Sequence, residues 1–248
     1  MPWQAVETIP FRVGADVAPA RAHAIREALL RRAVPLSRLV EGRLEPLATA
    51  SLVIDGAHRA LLTAAHVLEQ ASLGDIVVPL PREQRLILLR STRVRVIAHP
   101  QLDLAMLWFA ERAVGERLCA NWSACPLRHW CGSPDRPARL YAVAGYPAAN
   151  ARRADGWMYV RPAVVFTGAI DACRFAYAYT AQRVDGLEIH TPELDGVSGA
   201  TVWAVDEAEA DDVACVLRPT AIQVAFQHSR HLRGEPIRGA AELIAQRH

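Results

Sequence analysis

Between residues 48 and 108 the chain alternates short apolar runs with turn residues. The runs 48–54, 60–63, 76–80, 86–89, 93–99 and 104–108 are rich in Val, Ile and Leu and are parted by signals such as Asp55-Gly56 and the prolines flanking Leu80. Runs of this length bounded by turn chemistry read as strands. Six of them at this spacing suit a small closed barrel. From Ala110 to Pro137 the alternation fades, with Pro126, Pro134 and Pro137 interrupting what remains. A second set follows at 139–144, 158–166, 173–179, 187–190, 200–205 and roughly 213–225. The expectation is an all-β chain of two six-stranded antiparallel β-barrels joined by a linker.

Helical spacing occurs only near the ends. Over 19–32, Pro19 opens a first turn, Ile25, Leu29 and Leu30 share one side, and Arg21, Arg26, Arg31 and Arg32 lie elsewhere. This reads as a helix packed on the barrel with a solvated basic face, or as a docking helix for a regulatory protein partner. Residues 237–246 place Leu243 and Ile244 together and read as a closing helix. The expected division is an N-terminal extension with one helix over 1–44 and a double barrel over 45–236. Within it the barrels cover about 45–110 and 138–230, with the linker at 111–137; a C-terminal helix closes the chain over 237–248. The acidic run 206–212 reads as a charged hairpin tip.

With 248 residues and 52% hydrophobic content, the chain can bury a core that needs no disulfide or metal. A net charge of +2 gives no footprint for nucleic acid, and no run of about 18 apolar residues suggests a membrane. All 28 basic Lys/Arg positions are arginine. The first residues lack a basic head and apolar core, so no secretory signal is expected. Five cysteines is an odd number. Cys119, Cys125, His129 and Cys131 fit no common zinc spacing, so neither metal nor cofactor is implied. A reducing, cytoplasmic setting is the simplest expectation.

The candidate chemistry begins in Glu193–Trp203, where Asp195, Gly196, Ser198, Gly199 and Ala200 form a turn-prone run ahead of Thr201-Val202-Trp203. A serine on a tight loop feeding a strand can expose its hydroxyl, with backbone N–H groups nearby for an oxyanion. Upstream, His66 follows the apolar Leu61-Leu62-Thr63, and Asp103 heads the run Leu104–Trp108. Each alone has an ordinary structural explanation: a helix-end histidine, a strand-entry cap, a turn serine. The order His, Asp, Ser, with gaps of 37 and 95 residues, is far more specific.

The segments Thr63-Ala-Ala-His66, Asp103-Leu-Ala-Met-Leu107 and Gly196-Val-Ser-Gly199, with weaker support from Val143-Ala-Gly-Tyr-Pro147, resemble the chymotrypsin/trypsin-like serine peptidases, specifically their bacterial relatives, over roughly 45–230. The resemblance implies a chymotrypsin-like fold with His66 as base, Asp103 as its orienting carboxylate and Ser198 as nucleophile. It further implies an oxyanion hole from the N–H groups of Gly196 and Ser198. An α/β-hydrolase would run Ser, acid, His and end its motif in glycine, where this chain has Ala200.

Val197 replaces the aspartate that many relatives use in zymogen activation, Ala200 replaces a glycine, and Val67 stands where secreted members carry cysteine. Activation by N-terminal cleavage is therefore not expected. The P1 pocket would be floored by Pro192, with Glu193 beside it and a wall over 222–226 that includes Ala225 and Phe226. An uncharged floor favours a small or medium apolar P1 residue over a basic one. The expected function is a cytosolic bacterial serine endopeptidase working through an acyl-enzyme on protein or peptide substrates, as a regulated protease of a quality-control or defence system. The rival is a catalytically silent barrel serving as a protein-binding module.

Overall fold

The structure, a computed structural model, describes residues 3–5, 9–12, 19–126, 137–154, 157–171, 175–179, 182–184, 187–189, 193–207, 215–227 and 230–246. Near the N-terminus, β1 (Trp3–Ala5) and β2 (Ile9–Arg12) precede helix α1 (Pro19–Leu30). Helix α1 buries Ala22, Ile25 and Leu29, one stripe at helical spacing, in the main hydrophobic core.

The first sheet is built from β3 (Ala33–Val40), β4 (Arg43–Asp55), β5 (His58–Thr63), β6 (Ile76–Leu80), β7 (Arg85–Leu88), β8 (Val94–Ala98) and β9 (Ala105–Phe109), in the order β7-β6-β3-β4-β5-β9-β8. The five-residue helix α2 (His66–Gln70) lies between β5 and β6. Helix α3 (Arg112–Asn121) and β10 (Cys125–Pro126) occupy part of the expected linker, and β10 pairs in parallel with β4.

Strand β3 corrects the reading of residues 1–44 as an extension with one helix, because it pairs with β4 from Ala33↔Ser51 to Val40↔Arg43. Its first five residues, Ser37 included, are all buried, so no polar alternation marks it as a strand. Its turn into β4 is Glu41-Gly42, both at positive φ (49° and 78°), as two-residue hairpin turns require.

The second half supplies β11 (Tyr141–Gly145), β12 (Ala151–Ala154), β13 (Trp157–Val160), β14 (Ala163–Thr167), β15 (Ala169–Asp171), β16 (Ala176–Ala178), β17 (Gln182–Val184), β18 (Leu187–Ile189), β19 (Thr201–Glu207), β20 (Cys215–Gln227) and β21 (His231–Pro236). The main sheet runs β15-β16-β21-β20-β19-β11-β14-β2. Strand β1 joins β13 and β12 in a small sheet, and β17 pairs with β18. The expected strand over 158–166 is two strands parted by Arg161-Pro162, since proline cannot donate to a ladder. Among the described residues each main sheet carries eight strands where six were expected, the first counting β10 beside β4. The acidic 208–212 falls outside the described residues, although β19 and β20 pair up to Glu207↔Cys215 on either side of it.

Alternation explains how the sheets meet. Tyr141, Val143, Val165, Val202 and Ala204 turn into a cluster enclosed by the second sheet. Their neighbours Ala142, Ala144, Val164, Phe166, Trp203 and Val205 join the core shared with the first sheet. A period of two thus buries both faces of these strands, each large side chain contributing about 1.5–3 kcal/mol of transfer free energy. Helix α4 (Arg238–Ala245) closes the described chain and buries Gly239, Ala240 and Leu243, close to the expected 237–246. Among the described residues no helix is long and apolar enough to cross a membrane.

Candidate active site

His66 is the first residue of α2, directly after β5 and Ala64-Ala65. Asp103 lies in the turn between β8 and β9. That turn is folded by His99, whose Nδ1 accepts the backbone N–H groups of Gln101 (3.1 Å) and Leu102 (3.0 Å) while Nε2 meets Glu242 of α4 at 2.7 Å. Asp103 grips His66 at two points. Oδ1 accepts the His66 backbone N–H at 2.9 Å, and Oδ2 lies 2.6 Å from ring Nδ1. With Nδ1 engaged, Nε2 is the ring nitrogen available to another group.

Both side chains are mostly enclosed, 28% and 25% exposed. The hydrogen bond to Asp103 raises the His66 pKa above its ordinary 6.5; burial opposes this, and the charges of Asp103 and Glu69 reinforce it. For Asp103, burial pushes the pKa upward, but the hydrogen bonds from the His66 ring and backbone and the imidazolium charge outweigh it and hold the carboxyl below 3.8.

Ser198 comes from the other half of the molecule. Its loop is tightened by Val197 N–H to the Leu194 carbonyl and Ala200 N–H to the Val197 carbonyl, both 2.9 Å. Gly196 (φ 92°) and Gly199 (φ 90°) take left-handed angles that favour glycine. Space demands glycine too: a Cβ on Gly196 would lie 2.7 Å from the Tyr146 carbonyl oxygen, and one on Gly199 would overlap the Thr49 carbonyl and the Thr63 hydroxyl. Among the described residues, the N–H groups of Gly196 and Ser198 donate to no protein acceptor.

Buried Thr49, on β4, ties this loop to the first sheet. Its N–H donates to the Ser198 carbonyl (2.9 Å), and its hydroxyl donates to the Gly196 carbonyl (2.9 Å) while accepting the Tyr146 N–H (3.1 Å). Its own carbonyl accepts the Thr63 hydroxyl at 2.9 Å, three residues before His66. Nothing in the local sequence marks Thr49, because its partners on the site loop lie 147 residues away or more.

His66, Gly196 and Ser198 line one cleft of about 390 Å³, which Asp195 and Arg38 also border. Ala225 and Phe226 form part of its wall, and Phe226 packs edge-on against Tyr179 with ring centroids 6.4 Å apart. Glu193 is exposed, and Pro192 lies outside the described residues. Gln223, beside the wall, is fully buried, and among the described residues neither polar atom of its amide has a hydrogen-bond partner. Cys119 is a free thiol and Cys125 is buried; His129 and Cys131 lie outside the described residues. A hydroxyl, a carboxylate-held imidazole and two undonated N–H groups therefore border one cleft, the group types that acyl transfer uses.

No protein-family model matches the chain, and no curated protein matches its sequence. Solved structures do match. A thermostable serine protease, AL20, from an extremophilic microorganism is 11% identical with a TM-score of 0.51, over 86% of this chain and 94% of its own. A chain from a structure on the coupled folding and binding of the intrinsically disordered Sesbania mosaic virus VPg protein is 13% identical with a TM-score of 0.50, over 85% and 89%. At such identities the likeness is one of fold, and that fold is a chymotrypsin-like double barrel made of two curled antiparallel sheets.

Proposed function

We propose that this chain is a serine endopeptidase with His66 as general base, Asp103 as the carboxylate that orients it and Ser198 as nucleophile. The observation that carries the reading is the 2.6 Å contact between His66 Nδ1 and Asp103 at the cleft that Ser198 also lines. Serine is a weak nucleophile at neutral pH and needs a base as it attacks. In the proposed step Ser198 Oγ adds to the scissile carbonyl as its proton passes to His66 Nε2. The tetrahedral oxyanion then meets the N–H groups of Gly196 and Ser198, a type of donor whose loss costs about 2.7–4 kcal/mol of barrier. Collapse breaks the C–N bond, His66 protonates the departing amine, and water attacks the acyl-enzyme by the same route in reverse. The free thiol of Cys119 is in keeping with a reducing compartment and so with a cytoplasmic regulated protease.

A fluorophosphonate probe tests this. Labelling of the purified protein that vanishes in Ser198→Ala, together with peptide turnover lost in Ser198→Ala and His66→Ala, is the expected result. Folded wild-type protein that neither labels nor cleaves a peptide library would instead indicate a silent, protein-binding barrel.

A further inference from the structure

Across Pro46 and Ala148 from the Ser198 cleft lies a second cavity of about 330 Å³, and these two residues wall both spaces. Its other side carries Arg152 and Arg153 of β12, with half-buried apolar surface from Pro46 and Ala151. Arg153 is occupied: it donates to the Leu44 carbonyl at 2.7 Å and lies 3.7 Å from Glu45, a carboxylate that also holds Arg38 at 2.9 Å. Arg152 differs. Its guanidinium lies over the Tyr159 ring, 5.3 Å from the centroid, and among the described residues no carboxylate pairs with it. A guanidinium that rests over a ring rather than on a carboxylate keeps N–H donors for a planar acceptor such as a carboxylate. The borders of the two spaces thus bring together Arg38, Arg152 and Arg153, with Glu45 as the carboxylate that answers two of them.

We propose that this second cavity is a subsite for an acidic residue of the peptide substrate, its carboxylate held by Arg152 and its methylenes against Pro46 and Ala151. The proposal rests on the endopeptidase reading. Ala148 and Arg152 are four residues apart in sequence, so at most roughly 14 Å of chain separates their Cα atoms. That is the span of about four residues of extended peptide, which places the acidic residue within a short substrate bound through Ser198.

Quenched peptides carrying Glu or Gln at each of the four positions on either side of the scissile bond test this, with wild-type protein and Arg152→Gln. At one position wild type should prefer Glu by about 3–5-fold in kcat/KM, mainly through KM, as suits a partly exposed ion pair. High salt should weaken that preference and Arg152→Gln should abolish it. Equal cleavage of Glu and Gln peptides at every position by wild type, or a preference that survives in Arg152→Gln, overturns the subsite. Fluorophosphonate labelling of both proteins separates the two failures. Labelling with a flat Glu/Gln profile removes the subsite alone, whereas absent labelling removes the endopeptidase reading and the subsite with it.

Discussion

The Thr49 N–H donates to the Ser198 carbonyl at 2.9 Å, so a strand of the first sheet holds the backbone of the residue proposed as nucleophile in the second. The same side chain satisfies the Gly196 carbonyl and the Tyr146 N–H. Thr49→Val keeps the shape, removes both side-chain bonds and leaves two backbone groups unpaired at a buried position. Each unpaired group costs about 1–3 kcal/mol. Thermal unfolding should therefore show a clear loss of stability, with kcat falling more than KM rises because the loop shifts, and Thr49→Ser should recover most of both. Wild-type melting and kcat in Thr49→Val would show that the hydroxyl positions nothing.

The His66–Asp103 pair makes stability and activity respond oppositely to pH near neutrality. His66 is raised above 6.5, so its stabilising contribution is complete below 6.5 and fades as pH rises through its folded value. Asp103 is lowered below 3.8, so its contribution is complete above 3.8 and fades as pH falls through its folded value. The pair therefore stabilises most between 3.8 and 6.5. Base catalysis needs neutral His66, so the acid limb of kcat/KM should have its midpoint above 6.5. Asp103→Asn should move that midpoint downward and cost about ten-thousand-fold in kcat, as the equivalent change does in the serine-protease template. An unmoved midpoint in Asp103→Asn would separate the carboxylate from the base.

How much of this was legible in the sequence depends on the range of the contacts. His66, Asp103 and Ser198 each sit in a short apolar run beside a turn, but it is their order along the chain and the resemblance it carries that single them out. Strand β3 escaped notice because burial on both faces removes alternation, with Ser37 as buried as its apolar neighbours. Thr49 and Ala148 were invisible for another reason: their roles come from segments that meet only when the two sheets close around one cleft. The wall residues Ala225 and Phe226 follow from the resemblance, whereas Arg38 on β3 and Asp195 on the site loop meet at the cleft only through tertiary packing that no local pattern encodes.

Gly199 is the tightest point of the site loop. A methyl there would overlap the Thr49 carbonyl and Thr63 hydroxyl, and the φ of 90° disfavours any L side chain. Gly199→Ala should lose stability and push Ser198 off its seat, so fluorophosphonate labelling slows even in the fraction that remains folded. Labelling at the wild-type rate by protein of wild-type melting temperature would mean that the contact is relieved without moving Ser198.

Gln223 offers a change in the opposite direction. Its backbone is bound on both sides to the site loop, accepting the Gly199 N–H at 2.7 Å and donating to the Ala200 carbonyl at 2.8 Å. Its side chain is fully buried, and among the described residues neither the amide oxygen nor the nitrogen has a protein partner. A buried polar group without a partner costs about 1–3 kcal/mol. Methionine has nearly the same length and flexibility, carries no group that needs a partner, and leaves the two backbone bonds untouched. Gln223→Met should raise the melting temperature, by about 2–4 °C for each kcal/mol regained in a chain of this size. Because the Ser198 loop keeps its backbone bonds, fluorophosphonate labelling should proceed as in wild type. A lower melting temperature would show that the amide is bonded in solution, to water or to a rearranged neighbour, and that its burial stabilises the barrel.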